Sequence, residues 1–194
     1  LEHLADLQPT KESLQAIASI SEDLDELNAM VSELLEFAKA EYASSQIKLE
    51  AYDMNNWLEE WKLGFKDPSD INVELQATSG ALTGHIDSPL VTRALNNLVS
   101  NALRYAQSKI EISLEKHEQG FLLHVDDDGP GIPAKNREQV FSPYVQIDSP
   151  NKRAMEGYGL GLAIVQQIAQ WHAGKVLLED SKLGGARFSL YIPG

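Results

Sequence analysis

The chain has 194 residues, 43% of them hydrophobic and 23% charged, with a formal net charge of −13 and no cysteine. The missing cysteines exclude disulfides, thiolate metal sites and cysteine nucleophiles, and no apolar run reaches the roughly 18 residues of a membrane-spanning helix. The acidic balance argues against nucleic acid or an anionic membrane as the main partner, so an anionic ligand must be held by backbone N–H groups, a few basic side chains or a metal.

The chain opens at Leu1 without a signal-peptide pattern and reads as an excerpt from a longer protein. Residues 1–46 are expected to form one unit. Residues 1–5 resemble the tail of a helix, "DLQPT" its turn, and Thr10 a cap for the next helix. Within 10–44, Leu14, Ile17, Leu24, Leu27, Val31, Leu34, Leu35 and Ala38 recur at spacings of three, four and seven among acidic and polar residues. That narrow seam predicts one arm of a helical hairpin, completed to a four-helix bundle by a second chain. The plainer alternative is a single edge helix lying on the following domain.

From about residue 47 the period changes, and 47–194 is expected to form a second unit. "IKLEAYD" reads as a strand, and "MNNWLEEWKLGF" as a short helix with Trp57 and Trp61 one turn apart. "INVELQAT" and "ALTGHID" alternate as strands do. "SPLVTRALNNLVSNALRYA" predicts a helix capped by Ser88 with Pro89 in its first turn, burying Leu90, Ala94, Leu98 and Ala102 or Leu103. "KIEISLEKH" and "GFLLHVDDD" read as a hairpin. Residues 145–159 are long, polar and aperiodic, the pattern of a mobile loop. A helix at 160–172 and strands "GKVLLED" and "ARFSLYI" complete an α+β layer, with helices on one face of a mixed sheet.

Four segments in this unit carry chemistry. Asn97 and Asn101 lie four apart and share a helical face, with Arg104 three further on; alone this is also the composition of a solvated face. Asp127, Gly129 and Gly131 form D-x-G-x-G at a strand end, where a carboxylate can accept from an exocyclic amine and bare backbone can approach a ring; alone, "DGPG" is also an ordinary turn. Phe141 and Tyr144 are candidates to anchor one end of the long loop. Gly157, Gly159 and Gly161, followed by Leu162, open a helix whose N-terminus suits phosphate. They follow a loop rather than a strand and lack G-K-[ST], so neither a dinucleotide-binding fold nor a P-loop is indicated.

In this order the segments resemble the cytoplasmic core of a sensor histidine kinase of two-component systems. Asn97-x-x-x-Asn101-Ala102-x-Arg104-Tyr105 is similar to the N box, Asp127-x-Gly129-x-Gly131 to the first glycine box, Phe141-x-Pro143-Tyr144 to the F box, and Gly157-x-Gly159-x-Gly161-Leu162 to the second glycine box. "GGARFSLYIP" resembles the family's closing strand, and the helix at 10–44 the second helix of its dimerisation and phosphotransfer domain. The resemblance implies a two-layer α/β sandwich of the Bergerat type, shared with gyrase, Hsp90 and MutL, preceded by the helical hairpin. It implies ATP and Mg²⁺. Asp127 would accept the adenine amino group, with Tyr105 against the base near Ile132, and Asn101 would hold Mg²⁺ with Asn97 and Arg104 nearby. Residues 145–158 would be the ATP lid, with Lys152 and Arg153 as γ-phosphate candidates; Gly157 and Gly159 would be its hinge, and the backbone from Gly159 through Leu160 and Gly161 to Leu162 would face the phosphates.

Hydrolases of this fold would carry a Glu at the position of Asn97 as general base, and an amide accepts no proton at neutral pH. The resemblance therefore favours transfer to a histidine in an H-E-x-R-T-P-like box. No such box is present, and His3, His85, His117, His124 and His172 read as structural or surface residues, with His172 at a helix end that favours its positive form. The acceptor is expected upstream of Leu1, so these residues alone should bind ATP without phosphorylating themselves. The implied partners are a second copy and a response regulator, with membrane attachment only through segments not contained here, as in the cytoplasmic portion of a bacterial inner-membrane protein. The alternatives are a nucleotide-dependent interaction module without transfer activity, or an anti-sigma-type serine kinase, against which the long bundle helix argues.

Overall fold

The computed structural model describes residues 47–146 and 159–194, apart from 67–69, 77–79 and 118, together with scattered helical positions between Leu14 and Leu35. Among those positions Leu14, Ile17, Leu24, Val31 and Leu35 are helical and 44–59% exposed, so the described part of the seam has its apolar side uncovered. Thr10, Leu27, Leu34 and Ala38 lie outside the described residues.

The second unit follows the expected order closely. Strand β1 (Glu50–Asp53) leads into helix α1 (Met54–Gly64), whose first turn is capped by the Asp53 carboxylate accepting from the Asn55 and Asn56 amides. Strands β2 (Asn72–Gln76) and β3 (Thr83–Ile86) precede helix α2 (Ser88–Tyr105). Then come β4 (Lys109–His117), β5 (Gly120–Asp127), helix α3 (Gly161–Trp171), β6 (Lys175–Asp180) and β7 (Ala186–Pro193). The strands form two sheets. β1 and β3 pair antiparallel around α1, and the main sheet runs β2-β4-β5-β7-β6 with only β2 and β4 parallel.

Side chains alternate across a strand, so the register decides what faces the helices. Ile112 pairs with Val125, and Val125 with Phe188; Leu123 pairs with Leu190. These columns are fully buried beneath α2 and α3. The expected α+β architecture, helices covering one face of a mixed sheet, is what the chain adopts. Helix α2 buries Val91, Ala94, Leu95, Leu98, Val99 and Ala102, whereas Leu90 and Leu103 are half-buried at the margins of that stripe. Its cap is also displaced from expectation. Asp87, not Ser88, accepts from the Leu90 amide at 3.3 Å, because the Ser88 hydroxyl is taken by Trp57 Nε1 at 3.0 Å.

Asp87 also joins two distant elements. Its Oδ2 accepts from the Lys48 amide, and its own amide donates to His172 Nε2 at 3.1 Å. His172 Nδ1 lies 2.8 Å from the Ile168 carbonyl, so one ring nitrogen donates and the other accepts. That arrangement requires the neutral ring. The expectation of a positive His172 favoured by the helix end is therefore corrected: the residue is buried and bridges α3 to the α2 cap.

The opposite face of the sheet is polar but covered. Asp126, Glu111, His124 and Ser189 are all buried there. Arg187 and Ser181 hold Asp126, and Lys109 and Lys182 hold Glu111. His124 sits 2.7 Å from Ser189 Oγ, with Glu115 at 3.3 Å on its other nitrogen. Burial, reinforced by the Arg187 guanidinium, pushes the His124 imidazole below its ordinary 6.5 against the upward pull of Glu115 and Asp126. The unfolded chain then takes up this proton at higher pH than the folded one. The stabilisation is complete above 6.5 and is lost as pH falls from there toward the folded value. Thermal unfolding midpoints should accordingly drop less for His124→Gln than for the wild type between about pH 7.5 and 5.5; equal drops would show that His124 carries no such linkage.

Candidate nucleotide site

The strand period places Asp127, not its neighbours, in the apolar column. It follows Phe121, Leu123 and Val125 on the helix-facing side and pairs with Ile110. The residue is 3% exposed. Its Oδ1 accepts from the Gly129 amide at 2.8 Å and the Ala186 amide at 3.2 Å, while its carbonyl accepts from Gly185. No hydrogen bond to Oδ2 is made among the described residues. Burial raises the carboxyl above its ordinary range, and the like charges of Asp128 and Asp126 add to this; the two amides oppose it. A buried carboxylate with one oxygen fixed and one open is a directional acceptor.

The backbone beyond Asp127 lies hard against the end of α2. A Cβ at Gly129 would sit 2.6 Å from the Tyr105 carbonyl oxygen. Gly131 has φ +70 and Ile132 packs on the core, its carbonyl accepting from Arg137 Nε at 3.0 Å. Tyr105 is half-buried at the C-terminus of α2. Asn101 lies one and a bit turns back on the Asn97 side of the helix and Arg104 directly precedes Tyr105; both are half-buried, and neither side chain has a hydrogen bond or ion pair among the described residues.

Asn97 continues that side of the helix to the start of α3. Its Oδ1 lies 3.6 Å from where a Cβ of Gly161 would be, and its Nδ2 is buried without a partner among the described residues. Leu160, buried at the cap position, contributes no side-chain hydrogen bond, so among the described residues no side chain caps the first amides of α3. Orphaned amide donors and a bare helix N-terminus fit an anionic group. From Asn97 to Tyr105 the helix rises roughly 12 Å at 1.5 Å per residue, which separates the anion end from the base end.

Gly159 has φ +72, a conformation that suits glycine, and its carbonyl accepts from the Tyr144 amide. Phe141 is buried and packs edge-on against Phe188 at 6.2 Å. Tyr144 is 64% exposed with φ 64, so its backbone, not its ring, holds the base of the loop. Leu162 packs on the core. Lys152, Arg153 and Gly157 lie outside the described residues. The structure thus brings Asp127, Gly129 and Tyr105 together at one end and Asn97 and Gly161 at the other. Sequence reasoning missed Gly185 and Ala186 as holders of Asp127; the paired glycines before the last strand were the available signal.

The profile of the histidine kinase-, DNA gyrase B-, and HSP90-like ATPases matches residues 86–194. Sensor protein RstB of Escherichia coli K12 is 37% identical over 176 residues, 90% of this chain and 41% of that protein. Sensor histidine kinase CpxA of the same organism is 47% identical over 100 residues, 52% of this chain and 22% of that protein. The chain therefore spans less than half the length of these relatives. The ATP binding domain of PrrB from Mycobacterium tuberculosis superposes with a TM-score of 0.60 at 27% identity, covering 75% of this chain and 97% of that one. The chain belongs to the histidine kinase-, DNA gyrase B- and HSP90-like ATPase family, and its residues 86–194 are an ATP-binding domain of the kind found in sensor histidine kinases.

Proposed function

We propose that this chain is the ATP-binding catalytic core of a sensor histidine kinase, with residues 1–46 as part of its dimerisation and phosphotransfer hairpin and 47–194 as the catalytic unit. The observation that carries the base-binding role is the buried Asp127, with one oxygen held by two amides and the other open at the strand end. In this reading the open oxygen accepts the adenine amino group. Tyr105 and Ile132 flank the base, and the backbone at Gly129 and Gly131 approaches it. Asn97 Nδ2, which has no partner among the described residues, Arg104 and the first amides of α3 at Gly161 and Leu162 take phosphate oxygens. Lys152 or Arg153 is the candidate for γ-phosphate contact, and Gly157 and Gly159 are the candidates for the lid hinge.

Asn101 Oδ1 fits a Mg²⁺ ligand, since this ion takes few protein oxygens and keeps its waters and phosphate contacts. When bound, the ion neutralises charge on the phosphate oxygens. Asn101→Ala should lower affinity for Mg²⁺-ATP about tenfold while leaving metal-free ADP within about twofold. Calorimetric titration with and without Mg²⁺ measures this, and an unchanged Mg²⁺ dependence would remove the assignment.

In the reaction, an imidazole nitrogen attacks the γ-phosphorus, the bond to the β-bridging oxygen breaks, and ADP leaves. Positioning and charge stabilisation supply the rate. Asn97 cannot accept a proton from water, which disfavours hydrolysis. His124 and His172 are buried and hydrogen-bonded within the fold, so neither is the acceptor. That histidine would stand in an H-E-x-R-T-P box outside these 194 residues, on the cytoplasmic side of a membrane sensor. The uncovered seam of Leu14, Ile17, Leu24, Val31 and Leu35 supports pairing with a second copy, and a response-regulator aspartate is the onward acceptor. The test joins an H-E-x-R-T-P helix to this chain and supplies labelled ATP. Acid-labile label lost on His→Gln supports the kinase; ATP binding without label would favour a nucleotide-dependent interaction module instead.

A further inference from the structure

Asp128, the residue after the base-reading carboxylate, has no place in that reading, yet its carboxylate is among the most heavily bonded on the molecule. It accepts from the Gln107 amide at 2.8 Å, the Ser108 amide at 3.0 Å and the Ser108 hydroxyl at 2.6 Å. Gln107 Nε2 returns a bond to the Asp128 carbonyl at 3.0 Å, and the Asp128 amide reaches the Lys109 carbonyl. Gln107 and Ser108 are the residues that leave α2 just after Tyr105 and its cap, Ala106. The carboxylate therefore ties the end of α2 to the end of β5.

Against the opposing pull of burial, the Ser108 hydroxyl and the amides of Ser108, Lys109 and Gln107 hold the Asp128 carboxyl down at about 2. The clasp is thus fully charged at neutral pH, and charge-assisted bonds are the strong ones. One residue further on, Gly129 touches the Tyr105 carbonyl and donates to Asp127. The separation between Tyr105 and Asp127, the two walls proposed for the base, runs through this junction.

We infer that Asp128, clasped to Gln107 and Ser108, is a positioning residue for base recognition that sets the gap between Tyr105 and the Asp127 carboxylate. It touches neither base nor phosphate and acts through those two residues. This rests on the reading of Asp127 and Tyr105 as base-binding. Groups that touch a ligand recognise it only as well as their neighbours hold them in place.

The experiment uses the 194-residue chain and titrates ADP and GDP, with thermal unfolding recorded on each preparation. Asp128→Ala should weaken ADP about tenfold and GDP no more than about twofold, so selectivity for adenine falls; a merely structural loss would lower the unfolding midpoint and leave the ADP to GDP ratio alone. Asp128→Asn, which keeps an oxygen for the amides and can donate to Ser108 Oγ, should restore ADP binding to within about threefold of wild type. If Asp128→Ala does not fold, Ser108→Ala removes the hydroxyl bond alone and should shift the same ratio about twofold to threefold. An unchanged ratio in the folded variants overturns the inference. Asp127→Asn, run in parallel, separates the two ideas: lost ADP binding there with an unchanged ratio at Asp128 and Ser108 sinks only the positioning role, whereas unaffected ADP binding in Asp127→Asn sinks the base-binding reading itself.

Discussion

Asp127→Asn should cost the protein its nucleotide while leaving the fold intact. Oδ1 of the asparagine can accept from the Gly129 and Ala186 amides as the carboxylate does. The other atom changes from an acceptor to an NH₂ donor, which would confront the adenine amino group with a second donor. Two unpaired groups in a water-poor site cost about 2–4 kcal/mol together, or roughly 30- to 1,000-fold in affinity. Stability should move the other way. Burial raises the Asp127 carboxyl above its ordinary value of 3.8, so the folded state binds this proton more tightly than the unfolded chain. The associated stabilisation is present below 3.8 and is lost as pH rises through the folded value. At neutral pH the ionised carboxylate is a burden on the fold, and asparagine removes it. The unfolding midpoint of the ligand-free variant should therefore equal or exceed that of the wild type. Discrimination against guanine should narrow, because guanine presents a carbonyl where adenine presents the amine. Calorimetric titration with ATP and GTP, paired with thermal scans, decides the matter. Retained ATP affinity would remove Asp127 from base recognition, and a matching fall in midpoint would make it a structural acid only.

Phase decides which carboxylate enters that site, and phase is legible in the sequence. Three aspartates stand in a row, and only Asp127 continues the odd-numbered apolar column of Phe121, Leu123 and Val125; a period of two is a local signal and survives into the fold. Element boundaries were legible for the same reason, since α2 and β4 to β7 each carry an uninterrupted pattern. What was not legible depends on long-range contacts. Ser88 and Asp87 are equally good caps on composition, and the choice is made by Trp57, 31 residues away, which occupies the serine hydroxyl. His172 looks like an exposed helix end until the Asp87 amide, 85 residues distant, is laid against its ring. On the outer face of the sheet Glu111, His124 and Asp126 are buried, with Glu111 paired to Lys109 and Lys182 and Asp126 to Arg187. Local periodicity says which side a residue faces. It does not say who meets it there.

Gly185 is the clearest case of such a partner, and Gly185→Ala should damage both fold and site. A Cβ there would lie 2.1 Å from Asp127 Oδ1, 2.5 Å from the Asp127 carbonyl oxygen and 2.5 Å from the Gly129 nitrogen. None of these can yield cheaply. The Gly185 amide donates to the Asp127 carbonyl, the Gly185 carbonyl accepts from Ser181, and the adjoining Ala186 amide holds Oδ1. Relief requires either swinging the Asp127 carboxylate off its two amides or moving the start of β7 away from β5. Losing two or three buried hydrogen bonds, with overpacking strain added, costs about 3–5 kcal/mol. For a chain of this size that is a fall of roughly 10 °C or more in the unfolding midpoint. ATP affinity should fall by at least as much as in Asp127→Asn, since either adjustment displaces the acceptor. The neighbouring glycine provides the comparison. Gly184 has φ +104 but nothing within 4 Å of its Cβ position. Gly184→Ala should therefore suffer backbone strain of about 1–2 kcal/mol and still bind ATP within about threefold of wild type. If both variants lost stability alike and both kept ATP, the crowding around Asp127 would have no bearing on recognition; if only Gly185→Ala lost it, bare backbone at 185 is what lets the acceptor oxygen stand where the base can reach it.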